Sequence, residues 1–378
     1  MISGNISSIE SVQRIVPSLL GWFELCKRDL PWRSDPLPYY VWVSEIMLQQ
    51  TRVEAVKPYF ARFIEALPDT AALASCPEDR LLKLWEGLGY YNRARNMKRA
   101  AVIVMEKYGG NLPADTGRLL ELPGIGSYTA GAIASIAYGL PAAAVDGNVL
   151  RVLSRLCGDS ACIDDPGVKR FWEQQLGRML CSEGPEKVPP SVFNQALMEL
   201  GALVCVPGGA PRCSECPISS RCSALALGNW DSLPVRKVKK PRRTEDRTVL
   251  VIRDATDTVI CRRPSKGLLA GLWELPNFDG HLDEKEVVAQ CRMIGAEPVR
   301  VMPLDSAKHV FTHVEWHMTG WLVLAADLSG LRNMIRAGGQ SRYLVISPDK
   351  TEKEYPIPSA FVRYTAYLNI RLGQEKYE

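Results

Sequence analysis

The chain has 378 residues, 46% hydrophobic and 23% charged. That length accommodates two or three domains with cores of their own, and the balance excludes disorder and collagen-like repeats. Lys plus Arg number 46 against 42 Asp plus Glu, and the net charge of +4 is too small to establish a nucleic-acid partner.

Residues 1–16 are polar and include Glu10 and Arg14, so no signal peptide is expected. Eleven cysteines in such a chain are not expected to form a disulfide framework. The four histidines, His281, His309, His313 and His317, all follow residue 280. A Ser-His or Cys-His hydrolase is therefore excluded from the front of the chain, where acid–base work falls to carboxylates, Tyr, Lys or Cys.

Apolar residues recur at helical spacing in 12–25, 39–48, 53–67, 81–88, 97–108, 128–138 and 192–204, which predicts a mostly helical region over 1–228. Pro31, Pro58, Pro68, Gly109-Gly110, Pro123 and Pro141 punctuate it. The uncharged stretch 122–145 holds two prolines and four glycines, so it reads as a packed helix with loops and the protein as soluble, with no membrane span. Residues 233–247 carry seven Lys or Arg and read as a linker, either a solvated hinge or a phosphate-contacting strap. Beyond it the period changes. Residues 248–253 and 258–262 read as a β-hairpin, 310–318 alternates with a two-residue strand period, and 284–294 and 360–372 read as helices. These make an α+β domain.

Within the helical region, Glu45 lies in the run Val41-Trp42-Val43-Ser44-Glu45-Ile46-Met47-Leu48. Burial there favours the neutral acid and raises its pKa; the alternative is an exposed point on an amphipathic helix. Asp146 ends a run of small apolar residues before Gly147-Asn148. It reads as an N-cap or as a catalytic anion. Gly124 and Gly126, between two helical runs, form either an interhelical turn or a backbone-amide anion site suited to DNA phosphate.

Cys205, Cys213, Cys216 and Cys222 crowd into one short segment. Four such thiols point to a metal. One Cys-x-x-Cys pair flanked by two single cysteines suits a four-iron four-sulfur cluster better than a zinc ribbon, the alternative. The remaining seven cysteines read as small apolar fillers.

In order, Leu30-Pro31-Trp32-Arg33, Ser44 to Thr51, Gly87-Leu88-Gly89-Tyr90-Tyr91, the glycine turn, Val145-Asp146-Gly147-Asn148-Val149 and the four cysteines resemble the MutY-type adenine DNA glycosylases of the helix-hairpin-helix iron–sulfur superfamily. The resemblance spans about residues 30–317. It implies hydrolysis of the N-glycosidic bond of adenine mispaired with 8-oxoguanine or guanine in double-stranded DNA. Glu45 matches the general acid and Asp146 the carboxylate that stabilises or captures the oxocarbenium ion. Tyr128 and Asn148 match residues assisting at the sugar. Relatives that also cut the backbone carry Lys where this chain has Tyr128, so a monofunctional enzyme with little or no lyase activity is implied. Gln50 and Tyr90 match residues that fill the gap left by the extruded base. Gln195 matches an adenine reader, and Trp32, Arg33 and Leu48 match pocket walls.

The resemblance also implies the architecture: a six-helix module near 30–138, a cluster module of 1–29 with 139–228, a linker over 229–247, and a Nudix-like 8-oxoguanine recognition domain over 248–378. No Arg-Glu-x-x-Glu-Glu cluster follows residues 271–280, which argues against pyrophosphate cleavage. Phe311-Thr312-His313 matches the family's Phe-Ser-His lesion-reading loop with Thr for Ser, although alternation alone makes His313 a solvent-facing strand residue. Seven residues separate Cys205 from Cys213, one more than the family pattern. The protein is expected to be a bacterial, cytoplasmic, nucleoid-associated monomer. The rivals are a superfamily cousin acting on thymine or oxidised pyrimidines, a non-catalytic iron–sulfur DNA-binding protein, and a nucleotide-pool hydrolase.

Overall fold

The structure is a computed structural model that describes residues 6–182, 187–238, 240–337 and 342–373. The chain divides into two compact units, residues 1–75 with 96–239, and residues 76–95 with 240–378.

The described residues of the first unit form helices and turns without a strand. Helices Ile6–Cys26, Gly147–Cys157, Pro166–Leu180 and Pro190–Leu203 share one core. Val12, Ile15, Leu19 and Phe23 line one stripe of the first; Trp172, Leu176 and Met179 do so on the third. Helix Pro38–Leu48 is different. It is buried on nearly every face from Tyr39 to Met47, which is where a helix apolar all round belongs. Glu45 is carried into the interior with it. Among the described residues no helix is long and apolar enough to cross a membrane.

Helices Thr116–Leu120 and Ser127–Ala132 flank the glycine turn. Gly124 has φ +81, and a Cβ added there would stand 2.7 Å from the Cβ of Asn96; both facts demand glycine. The 128–138 run is not one regular helix, because a π-helical turn over Ile133–Ala137 follows.

The basic stretch departs from a free linker at both ends. Residues 230–237 dock on the helical unit: Arg155 Nε donates to the carbonyls of Trp230 and Leu233, Ile163 N to Val235 O, and Lys237 N to Asp164 Oδ2. At the other end strand β1 (Arg243–Arg253) has already begun. There Glu245 accepts from Arg247 Nη2 and from the indole of Trp316.

Among the described residues the second unit is built on a seven-stranded mixed sheet of β1, β2 (Thr258–Arg262), β3 (Trp273–Glu274), β4 (Asn277–Asp279), β5 (Pro298–Val310), β6 (Val314–Ala325) and β7 (Tyr343–Ile346). The order is β3-β2-β1-β6-β5, with β4 also on β1 and β7 on β2. β1 and β2 form the expected antiparallel pair, and β1 runs parallel to β6 from Arg243↔Val314 to Arg253↔Leu324. Alternate β1 residues feed opposite cores. Val249 and Val251 face Trp316, Phe361 and Tyr364 on one side; Leu250 and Ile252 face Val287 and Cys291 of helix Glu284–Met293 on the other.

Two expectations are corrected here. The 310–318 run is not one strand: Val310 ends β5, Phe311-Thr312-His313 form the tip of the β5–β6 hairpin, and Val314 to Met318 open β6 with the expected alternation. Residues 360–372 form only short helical turns that end at Asn369, φ 55. A third finding concerns residues 76–95, which pack within this unit. Lys83 Nζ donates to Tyr355 O at 2.7 Å, Ile357 N to Glu86 Oε1 at 2.9 Å, and Arg95 Nη2 to Ala270 O at 2.8 Å.

Candidate active site

A cleft in the helical unit gathers nine of the sequence-selected residues: Trp32, Arg33, Glu45, Leu48, Gln50, Tyr128, Asp146, Asn148 and Gln195. Glu45 comes from helix Pro38–Leu48, Tyr128 from the helix after the glycine turn, Asp146 and Asn148 from the start of Gly147–Cys157, and Gln195 from Pro190–Leu203.

Glu45 is 6% exposed, which settles its two readings in favour of burial. Tyr128 Oη donates to Glu45 Oε2 at 2.6 Å. Burial drives the Glu45 pKa up to about 7, aided by the charge of Asp146 and opposed by the Tyr128 hydrogen bond and by Arg33. Burial and the two carboxylates push Tyr128 well above the usual phenol value, so it remains a donor.

Asp146 is the N-cap that its position suggested. Its Oδ1 caps the helix by accepting from Val149 N at 2.8 Å, and its Oδ2 accepts from Asn148 Nδ2 at 2.9 Å, yet it also lines the cleft. Burial raises its pKa against the opposing pull of Val149, Asn148 and Arg151. Asn148 is oriented in turn by Arg151 Nη2, which donates to Asn148 Oδ1 and to Gly201 O, each at 2.8 Å. A Cβ on Gly201 would stand 2.8 Å from that of Asn148, so the close helix crossing depends on glycine.

Three polar residues of this site were missed in the sequence. Glu199 is 1% exposed and binds Arg28 and Arg33 through Arg28 Nε at 2.7 Å and Arg33 Nη2 at 2.8 Å. Arg151 is the third. The i, i+4 spacing of Gln195 and Glu199 on one helix face was the available signal; nothing in the sequence links Arg28 or Arg151 to the cleft.

Gln50, at φ 62, and Tyr90, at φ 45, both adopt the left-handed backbone region, which costs a non-glycine residue on the order of 1–2 kcal/mol. Tyr90 belongs to the second unit, as do Phe311, Thr312 and His313. There, Tyr90 Oη and Thr312 Oγ1 are hydrogen-bonded at 2.8 Å. Phe311 packs edge-on against Trp316 at 4.9 Å. Arg243 N donates to His313 O, and Arg242 Nε to Phe311 O. His313 and Thr312 are exposed at the hairpin tip.

Cys205, Cys213, Cys216 and Cys222 line one cavity. Burial and repulsion from neighbouring thiols raise the pKa values of Cys213, Cys216 and Cys222, that of Cys216 to about 11. Backbone amides of Ile218, Ala224 and Leu225 favour thiolates on Cys216 and Cys222, and Arg155 Nη1 donates to Cys205 Sγ at 3.4 Å. Among the described residues no three Cys, His, Asp or Glu side chains converge tightly enough for a single ion. Between Cys205 and Cys213, Gly208 (φ 68) and Gly209 (φ 111) adopt left-handed backbone, and Arg212 N closes the loop on Val204 O at 2.9 Å. Of the other cysteines, Cys26 and Cys181 are exposed rather than fillers, since they lie at helix C-termini.

Residues 43–174 match the HhH-GPD superfamily of base excision DNA repair proteins, and residues 248–367 match the NUDIX domain. An adenine DNA glycosylase of Buchnera aphidicola subsp. Schizaphis graminum is 32% identical over 326 residues, covering 85% of this chain and 90% of that protein. The chain belongs to the adenine DNA glycosylase family. The human adenine DNA glycosylase is 36% identical over 358 residues, covering 79% of this chain. The chain spans only 64% of that human protein's length. A thermostable thymine-DNA glycosylase structure aligns with a TM-score of 0.52 at 29% identity, covering 58% of this chain and 98% of its own. The fold is thus that of a helix-hairpin-helix glycosylase joined to a Nudix-like domain.

Proposed function

We propose that this adenine DNA glycosylase family member excises adenine paired with 8-oxoguanine or guanine from duplex DNA, without cutting the backbone. The observation that carries this reading is the shared cleft: a buried, hydrogen-bonded carboxyl on Glu45 and a second carboxylate on Asp146, lining one recess with Tyr128 and Asn148.

A recess of this kind admits only a base rotated out of the duplex, at a cost of a few kcal/mol. Gln50 and Tyr90 occupy the space that base leaves, and their left-handed backbones are the strain that such a role justifies. Trp32, Leu48, Arg33 and Gln195 enclose and read the adenine. Glu45, poised at about 7, gives its proton to N7 of adenine through the carboxyl oxygen not held by Tyr128. The C1′–N9 bond breaks with its electron pair leaving on adenine, and the sugar becomes oxocarbenium-like. Asp146, kept anionic by the Val149 amide and Asn148, stabilises that charge. Water then adds at C1′, its proton passing to a carboxylate. Tyr128 has no amine with which to form a Schiff base, so strand cleavage is not part of the cycle.

Gly124 and Gly126 offer backbone amides to phosphate, and Phe311, Thr312 and His313 read the opposing 8-oxoguanine. Cys205, Cys213, Cys216 and Cys222 hold a four-iron four-sulfur cluster. Four thiols lining one cavity, one Cys-x-x-Cys pair flanked by two single cysteines, suit a cluster more than a zinc ribbon. Its contribution is structural: it shapes the 205–222 loop. The protein acts on chromosomal DNA as a monomer.

The test is adenine release from 8-oxoguanine:adenine and guanine:adenine duplexes, run with and without alkali. Release with nicks appearing only after alkali supports the proposal. Release of a pyrimidine, or nicks without alkali, overturns it.

A further inference from the structure

Three long polar side chains, Arg28, Arg33 and Gln195, stand on the cleft wall in one network centred on Glu199, with Ser191 also accepting from Gln195 Nε2 and the Phe23 ring lying under the Arg33 guanidinium. Glu199 Oε1 accepts from Arg28 N at 3.1 Å and Arg28 Nε at 2.7 Å, while its Oε2 accepts from Arg28 Nη2 at 2.9 Å and Arg33 Nη2 at 2.8 Å. Arg33 then donates through Nε to Gln195 Oε1 at 3.0 Å and through Nη1 to Arg28 O at 3.1 Å. Both carboxylate oxygens are thus committed to guanidinium donors, and the amide of Gln195 is oriented through Arg33.

We propose that Glu199 is the positioning residue of the base-capture wall, fixing Arg28, Arg33 and Gln195 as one preorganised array and offsetting the positive charge that Arg33 presents to Glu45. This rests on the reading of the cleft given above and assigns no proton transfer to Glu199 itself. Two physical arguments support it. Flexible side chains ordered only once the base is in the cleft would add their rotamer entropy to the barrier, which a prebuilt ionic array avoids. A fork-to-fork Arg–carboxylate contact also fixes angle as well as distance. A glutamine at 199 could accept at one atom only and would turn an amide N–H₂ toward a guanidinium.

The charge argument has a sign. Glu45 is faced by Tyr128, Asp146 and Arg33, and Arg52 and Glu54 also line the cleft. Arg33 favours ionised Glu45. Without the anion of Glu199, that pull strengthens and protonated Glu45 survives only to lower pH.

The test is single-turnover adenine release as a function of pH, with duplex binding and thermal unfolding measured on the same proteins. Glu199→Gln is expected to lower the rate constant on the order of a hundredfold, to move the alkaline limb down by about one unit, and to leave duplex binding unchanged. Adding Arg28→Gln restores the net charge and returns the limb without returning the rate. Glu199→Asp, which keeps the charge but shortens the reach, lowers the rate at an unmoved limb, and it carries the test should Glu199→Gln not fold. A folded Glu199→Gln with the parental rate, or one slowed with its limb unmoved, overturns the inference. An unmodified protein that releases no adenine overturns the reading of the cleft as well.

Discussion

Tyr128 Oη donates to Glu45 Oε2 at 2.6 Å, and this bond works against the burial that raises Glu45. The phenol favours the carboxylate, burial favours the acid, and burial wins, leaving the group near 7. Adenine release should therefore fall as pH rises through about 7, because the proton donor is lost. Its acid limb should lie above the ordinary Asp range, since Asp146 is itself raised. Tyr128→Phe removes the bond that lowers Glu45, so its alkaline limb should move to higher pH. Single-turnover pH profiles of the two proteins check the sign.

Stability should depend on the cleft carboxylates in opposite directions. Glu45 rises from 4.5 to about 7 on folding; its stabilisation is complete below 4.5 and disappears as pH climbs through 7. Glu199 has the reverse behaviour. Burial would raise it, but hydrogen bonds and charge from Arg28 and Arg33 bring it down to about 2, so its contribution is present above 4.5 and lost on acidification toward 2. Each difference corresponds to about 3 kcal/mol. Glu45→Gln should accordingly melt above the parent at pH 8 but not at pH 4, as thermal unfolding across pH would report.

Gly201→Ala tests how finely the sugar-side residues are placed. The new Cβ would meet the Asn148 Cβ at 2.8 Å, and because Asn148 holds Asp146 Oδ2, the displacement reaches the carboxylate. A loss of about tenfold to a hundredfold in release rate, with duplex affinity retained, is the expected result.

The chemistry-bearing elements were legible because burial leaves a compositional mark. A glutamate among Val43, Ile46 and Met47 cannot sit on a wet face, and helix Pro38–Leu48 is indeed enclosed. Crowded cysteines likewise forecast a shared cavity. What failed to show were features made by contacts distant in sequence. Helix Gly147–Cys157 turns Arg151 and Arg155 inward, at 3% and 6% exposure, which blurs its apolar period. Strand alternation ran across the Phe311–His313 turn because a tight hairpin can preserve a two-residue pattern through its tip. Residues 233–247 looked like linker because charge density signals solvent only when the charges lack partners, and Arg247 and Glu245 have theirs.

Thr312→Val removes the hydroxyl that meets Tyr90 Oη at 2.8 Å while keeping the branched shape. One hydrogen bond of about 1 kcal/mol predicts roughly fivefold weaker preference for 8-oxoguanine over guanine opposite adenine. Competition between the two duplexes measures it directly.

The cysteine cavity predicts bound iron and an absorbance band near about 400 nm. Cys216→Ser should lose both and loosen the 205–222 loop, lowering the melting temperature and weakening duplex binding. Iron analysis and spectra of the two proteins decide the point; stoichiometric zinc would contradict it.

The most direct measurement is single-turnover adenine release by Glu45→Gln and Asp146→Asn beside the parent, with equilibrium binding to the same 8-oxoguanine:adenine duplex. Both variants should bind like the parent, since phosphate contacts dominate affinity, while releasing adenine at least about a thousandfold more slowly. Parental rates in either variant would contradict a cleft that works by pairing a proton donor with an anion.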